Sequence, residues 1–326
     1  MSPASTPRAA TGVHAVAGAL SPALRVVDLA RRAPSIRNSQ PWGWSVDGTT
    51  IHLYADWDRW RRRDDPAGRH LLISCGLALH HAEVAARGLG WEAVVSRFPH
   101  RDGARHDLVA RLDLVPSFSS PDGAAELTAL TQRRTDRRRF TSWPVPEELV
   151  QDLCASAGDR GGLAVSLPDV VDRFRVQHLV GLAQRLGGGA PVESAGGPRW
   201  LAGTGTSVEV HDGLVVLCSQ ADGPESWTTV GESLGALWLT AVRRGLAVVP
   251  LSQVIEIEDT RQSLRSSVLG GLVLPQLLVR VGWQPIGHTG LPRTSRRSLE
   301  SVTRPRPTTT GPDGARPGTG PGPSGP

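Results

Sequence analysis

The stretch GESLGALWLTAVRRGLAVVPLSQ, residues 231–253, changes period at its middle. Thr228 to Arg244 reads as a helix, Gly245 as its stop, and Leu246 to Val249 as a buried strand halted by Pro250. Strands flank this pair: Leu214 to Ser219 before it and Pro275 to Val281 after it. Further upstream, Pro146-Glu147-Glu148 opens a helix, Leu163 to Leu167 is a short strand, and Pro168 to Leu186 is a helix with proline at its start. Between Gly187 and Gly213 the chain is Gly-rich and aperiodic, which predicts a flexible surface segment.

The first half repeats the mixture. Ser21 is an N-cap before Pro22, and Leu24, Val27 and Leu29 carry a short helix to Pro34. Gly43–Val46 and Ile51–Ala55 flank Asp47-Gly48 as a hairpin, His70 to Arg87 is a buried helix, and Trp91–Phe98 and Leu108–Leu114 are strands. Pro116 to Gly123 reads as a linker, after which a helix restarts near Ala124. The predicted organisation is an N-terminal extension (1–20), a first unit (21–115), a linker (116–123), a second unit (124–302) and a Pro/Gly-rich tail (303–326) too poor in apolar side chains to order itself.

Composition narrows the function. Apolar residues make up 39% of the 326, enough for a packed core, and no run approaches membrane-spanning length. All 36 basic residues are arginine, and the net charge of +5 suits an anionic ligand, but 31 acidic residues are interleaved with them. Cys75, Cys154 and Cys218 lack metal-ligand spacing and read as reduced core residues of a soluble, unexported protein. His80-His81 has no spaced carboxylate or cysteine partner, and no P-loop or GxGxxG is present.

Four segments can carry chemistry. Ala33-Pro34-Ser35-Ile36-Arg37-Asn38-Ser39-Gln40-Pro41-Trp42 sets several hydrogen-bonding side chains on a turn held by two prolines, able to read the edge of a planar heterocycle. Its bland reading is a helix-stop loop satisfying its own backbone. In Arg133-Arg134-Thr135-Asp136-Arg137-Arg138-Arg139-Phe140, alternation would bring Arg133, Thr135 and Arg137 to one phosphate; a solvated basic face is the alternative. Gly245 to Ser252 could hold backbone N–H groups against a ring nitrogen, or be merely a helix-to-strand connection. Arg293-Thr294-Ser295-Arg296-Arg297-Ser298-Leu299 is a second basic cluster, equally explicable as surface.

In this order the segments APSIRNSQPW (33–42), DPAGRHLLISCGLALHHAEVAARGLGW (65–91), RRTDRRRF (133–140), GESLGALWLTAVRRGLAVVPLSQ (231–253) and PQLLVRVGW (275–283) resemble the nitroreductase superfamily, in its fused, double-unit Acg-like branch. The resemblance implies an α+β, nitroreductase-like fold of two related units forming an internal pseudo-dimer, with FMN between them. It implies a phosphate held by Arg133, Thr135 and Arg296, with Arg137 near the ribityl chain and the N1/O2 edge of the ring. Pro250, Leu251 and Ser252 would line the ring, the Ser252 N–H facing N5, and Pro34, Ser35, Asn38 and Gln40 would reach across from the first unit. Arg137 and Ser252 are the expected catalytic pair. No second PSxxNxQPW occurs in the later half, which predicts one site and an empty mirror image. Two departures stand out: Arg37 where the branch usually has histidine, and a segment 187–213 shorter than the family's flavin-covering region. The implied activity is an NAD(P)H-dependent, cytoplasmic oxidoreductase passing hydride to a nitro, quinone or similar small acceptor, as a monomer or homodimer, without metal, membrane or nucleic-acid partner. The alternative within the branch is an FMN-binding or flavin-sequestering protein without turnover; nucleic-acid binding through the arginine runs ranks below both.

Overall fold

The computed structural model describes residues 20–99, 107–118, 121–186, 208–284 and 294–304. The N-terminal extension up to residue 19, residues 187–207 of the Gly-rich segment and the tail from residue 305 lie outside these. In chain order the elements are α1 (Pro22–Ala30), β1 (Trp42–Asp47), β2 (Thr50–Ala55), α2 (Arg69–Gly88), β3 (Trp91–Arg97), β4 (Leu108–Pro116), α3 (Pro121–Gln132), α4 (Glu147–Gly158), β5 (Leu163–Ser166), α5 (Val170–Leu186), β6 (Gly213–Ser219), α6 (Pro224–Arg243), β7 (Leu246–Leu251), α7 (Gln253–Glu256), α8 (Glu258–Ser267), β8 (Leu274–Trp283) and α9 (Leu299–Val302).

The strands form two antiparallel sheets, β1-β2-β4-β3 and β5-β6-β8-β7. In both, the strand after the long helix lies at the edge and the next strand returns inside it. The likeness extends to single residues. α2 and α6 each end before a left-handed glycine, Gly90 (φ 81°) and Gly245 (φ 77°), which lets the chain turn directly into β3 or β7. These glycines are 155 residues apart, as are Gly76 and Gly231 in the middle of the two helices.

α2 and α6 pack on each other more extensively than any other two helices. They can do so because Gly76 and Gly231 face one another: a Cβ on Gly76 would lie 2.0 Å from the Thr228 carbonyl oxygen, and one on Gly231 2.0 Å from that of Ile73. Leu72, Ile73, Leu79, Leu234, Leu237 and Trp238 close around the contact in one core that also takes in Trp42, Trp44 and Leu53 from the first sheet and Val215, Leu217 and Val279 from the second. A separate core under the outer face of the second sheet packs Val176, Leu214, Val216, Val249, Val254 and Leu264.

Three boundaries differ from the sequence reading. β7 runs through Pro250 to Leu251, because β7 is an edge strand and a missing N–H on its open side costs no ladder bond. The proposed linker is largely absorbed, with Pro116 ending β4 and Pro121 opening α3. Val208 and Asp212 are buried, Asp212 3.5 Å from the fully buried Arg280 guanidinium, so the last part of the Gly-rich segment belongs to the core. α7 and α8 were not foreseen. Among the described residues no helix is long and apolar enough to cross a membrane, and no cluster of three or more metal-ligating side chains occurs.

The C-terminal arm corrects the reading of the tail at its first two residues. Thr303 bridges Trp44 on the free edge of β1, the Arg304 N–H donates to the Trp44 carbonyl, and the Arg304 guanidinium pairs with buried Asp56. Arg59 joins the same knot, 3.0 Å from Asp56 and donating to the Ser301 carbonyl at 3.2 Å. Backbone pairing and ion pairs order these residues, not apolar burial, so their composition gave no sign of it.

Two outcomes test this packing. Gly231→Ala places a methyl against α2 backbone and should destabilise the fold by about 2 kcal/mol or more, read by denaturant unfolding. His80 and His81 are buried and neutral, burial pushing His81 down to about 3. Between that value and the ordinary histidine range the unfolded chain binds a proton that the native chain does not. Stability should therefore fall as pH drops from 6.5, by up to about 1.4 kcal/mol per pH unit for each histidine. Replacing His81 with glutamine should flatten that slope in pH-dependent unfolding.

Candidate functional site

The loop after α1 is held in an unusual conformation. Ile36–Asn38 forms a single 3-10 turn in which Arg37 and Asn38 both have φ 55°, and Gln40 follows at φ 49°. Non-glycine residues seldom hold such angles, and three in four positions store strain that local bonds must offset. They do: the Gln40 N–H donates to Ser35 Oγ at 2.8 Å, and the Ile36 N–H to Ser74 Oγ on α2 at 3.3 Å. Pro34 is buried at the end of the loop's approach.

The C-terminal arm crosses this loop and is bound to it residue by residue. Asn38 Nδ2 donates to the Ser295 carbonyl (3.3 Å), its Oδ1 accepts from Arg296 Nη1 (3.2 Å), and Gln40 Oε1 accepts from the Arg297 N–H (2.9 Å). Arg296 also donates to the Ala33 carbonyl at 3.1 Å. The side chains of Asn38 and Gln40 thus fasten the arm that carries Arg296, an arrangement their position in the sequence did not disclose.

Beside Arg296 lies Arg133, only 5% exposed. One of its nitrogens, Nη2, donates to the Arg32 carbonyl at 3.2 Å, and the guanidinium carbon lies 5.0 Å from the centre of the Trp238 ring. Nε and Nη1 are buried without a partner among the described residues. Burial, with Arg296 and Arg134 adding repulsion, pushes Arg133 down to about 9, and burial also lowers Arg296. An unpaired buried cation is costly. Arg133 thus brings two unbonded donors beside Arg296, whose own nitrogens are bonded to the Ala33, Arg32, Thr294 and Ser295 carbonyls and to Asn38 Oδ1. With no carboxylate between the two guanidinium groups among the described residues, the free donors make a seat for an oxyanion, and a phosphate fits it.

The rest of the arginine run does not converge as alternation predicted, because residues 133–140 form no strand. Arg138 is turned onto buried Asp136 (2.6 Å). Thr135 is half-buried, and exposed Arg137 has no hydrogen-bond or ion-pair partner among the described residues.

The third segment meets the first through a carboxylate. Ser252 follows β7 and its Oγ donates to Glu256 Oε1 at 2.8 Å. Glu256 Oε2 is 3.6 Å from Arg37 Nη2, and Arg37 Nη1 is 2.9 Å from Asp64 Oδ2. Glu256, Asp64 and His70 around Arg37 were missed by the sequence reading. Of the three only His70 lies within one of the runs singled out, DPAGRH, and nothing local separates Asp64 or Glu256 from surface charges. Pro250 and Leu251 pair with Val279 and Leu278 on β8.

The position 155 residues before Ser252 is Arg97, at the end of β3. Its guanidinium grips Glu232 with two bonds (2.8 and 2.5 Å), while neighbouring Glu83 takes Arg160 at 2.5 Å. The two related ends of the helix pair are therefore chemically unlike.

If Arg133 is kept for an anion, Arg133→Met should stabilise the protein by about 1 kcal/mol or more, and a rise in melting temperature expected of the unaltered chain on adding phosphate should be lost. Thermal unfolding with and without phosphate measures both.

No family model matches the chain. A protein of Mycobacterium tuberculosis named "Putative NAD(P)H nitroreductase Rv3131" is 35% identical over 310 residues, covering 85% of this chain and 89% of its own. Another from the same organism, "Putative NAD(P)H nitroreductase acg", is 30% identical over 311 residues, covering 85% and 93%. Among solved structures, "a putative nitroreductase" from Anabaena variabilis is matched over 72% of this chain and 69% of its own, at 12% identity and a TM-score of 0.47. At that level of identity and over that length, the chain belongs to the nitroreductase superfamily, in its Acg-like branch.

Proposed function

We propose that this protein binds one FMN between its two halves and uses it as an NAD(P)H-dependent oxidoreductase, with a nitro compound, a quinone or a similar small molecule as acceptor. The observation that carries the reading is Arg133: a buried guanidinium beside Arg296 with two nitrogens unpartnered and no carboxylate to neutralise it among the described residues. Such a group is explained by an anionic ligand held there.

In this reading Arg133, Thr135 and Arg296 hold the phosphate, and Arg137, which has no partner among the described residues, stands toward the ribityl chain and the N1/O2 edge. Pro250, Leu251 and Ser252 line the ring, with the Ser252 N–H toward N5. Pro34 and Ser35 shape the first half's side of the cleft. Asn38 and Gln40 act through the arm, holding Arg296 in place. FMN would supply a hydride carrier at N5; a cation and donors at the opposite edge stabilise the reduced ring's charge. A single site is supported by the contrast between Ser252 and Arg97, whose side chain is committed to Glu232.

The proposal includes a division into two units, 21–115 and 124–302, supported by the shared strand order, and a cytoplasmic protein, monomeric or homodimeric. NADPH is the donor to try first.

The test is an anaerobic absorbance titration of the FMN-loaded protein with NADPH, followed by air or a quinone. Bleaching of the flavin band and its recovery are expected. A band that dithionite bleaches but NADPH does not would instead mark a flavin-sequestering protein, and a chain that never retains FMN would sink the site.

A further inference from the structure

Four groups from both halves meet behind Ser252. Ser252 Oγ donates to Glu256 Oε1 at 2.8 Å, and the same oxygen lies 3.7 Å from His70 Nδ1, on α2 of the first half. The second carboxylate oxygen faces Arg37 at 3.6 Å, and Arg37 is held in turn by Asp64. A serine bonded to a glutamate four residues on is often no more than a brace for a helix start. Here the helix is a single turn, and the carboxylate also faces a histidine from a distant element.

His70 is 6% exposed, and its Nε2 is buried without a hydrogen-bond partner. Among the described residues no hydrogen bond to the ring explains a polar group in the core. Its charged surroundings are Asp65 from the loop before α2, Glu256 from α7, and the cations Arg69 and Arg37. Burial outweighs the two carboxylates and lowers its pKa, so the ring is neutral near pH 7 and can both give and take a proton. The 3.7 Å gap to Glu256 is longer than a hydrogen bond and is spanned by one water or a small rotation. A surface cleft lined by Arg37, Trp60, Arg61, Asp64 and Asp65 reaches His70, giving the buried ring a route to solvent.

We propose that Ser252, Glu256 and His70 form a proton relay that protonates the reduced acceptor, with Ser252 as the donor to the acceptor and Glu256 and His70 as the residues that position and recharge it. This rests on the function proposed above. A quinone that has received a hydride, and with it two electrons, is left with one anionic oxygen. The Ser252 O–H bond breaks and its proton forms the new O–H on that oxygen. A proton passes in turn from His70 across Glu256 Oε1 to Ser252 Oγ, and His70 takes its replacement from water in the cleft, which leaves as hydroxide. Each turnover thus moves one proton inward along the relay and leaves a neutral hydroquinone. Arg37 fixes the carboxylate's other oxygen so that Oε1 stays turned to Ser252 and His70.

The test compares the FMN-loaded protein with Glu256→Gln, Glu256→Asp and His70→Asn. FMN affinity, read by quenching of flavin fluorescence, and bleaching by NADPH should be unchanged in all three. Reoxidation of the reduced protein by a quinone should slow about 100-fold in Glu256→Gln, with loss of its pH dependence and of its solvent deuterium effect, and Glu256→Asp should recover part of the rate. Independently of FMN, the His70 ring-nitrogen NMR signals of the unloaded protein should shift in Glu256→Gln. Reoxidation at the unaltered rate and pH profile in Glu256→Gln, or unmoved His70 signals, would overturn the relay. A wild-type chain that holds no FMN would overturn the function instead, and the NMR comparison would then decide the Glu256–His70 pairing alone.

Discussion

The close passage of α2 over α6 sets every other distance in the molecule. With glycine on both sides of the crossing, the helices meet backbone to backbone, and each brings one sheet up against a shared core. α2 also presents Ser74 to the strained loop and His70 to Glu256, so the gap between the helices fixes how the loop at 34–40 stands relative to the segment at 250–256. A side chain at either glycine would move both together. Helix packing and site geometry are the same constraint seen at two places.

Within that frame the arginines divide into two kinds. Arg280 faces Asp212 and Arg261 faces Asp222, each a cation whose burial is offset by a carboxylate, while exposed Arg97 grips the buried Glu232. Among the described residues Arg133 has only a backbone carbonyl and a tryptophan face. Buried charge is tolerated in a folded protein when something neutralises it, so the missing partner at Arg133 is more informative than the many pairs elsewhere. The same comparison separates the two halves. Related positions at the ends of β3 and β7 carry Arg97, tied down by Glu232, and Ser252, which points its hydroxyl at a carboxylate connected to the other half.

Much of the framework could be read from period and punctuation. The hairpin at Asp47-Gly48, the long helices and the strand after Gly245 follow from patterns that local physics enforces, and the structure has them. What escaped is held by other forces. α8, EDTRQSLRSS, is too polar to signal a buried face; Leu264 and Thr260 are inside, and Arg261 is fixed by Asp222 and the Pro275 carbonyl. The arm beyond Arg296 is stabilised by backbone bonds to partners more than two hundred residues away, which no local window contains. The sequence named Asn38 and Gln40 as important but not their targets, since a polar side chain does not announce whether it will meet a ligand or a neighbouring chain segment. Arg133 and Arg296 were legible as cations, and their convergence only in three dimensions.

The path of the arm has a consequence for how the protein comes into being. Chains leave the ribosome from the N-terminus and begin to fold before they are finished. The loop at 34–40, its helix and Arg133 are all made well before Arg296, and the knot of Asp56, Arg59 and Arg304 closes only when the last described residues arrive. Until then the nascent chain carries an edge strand open at Trp44 and a half-built seat for an anion. The order of synthesis therefore imposes an order of assembly: the body first, the clasp second, and any anionic ligand last.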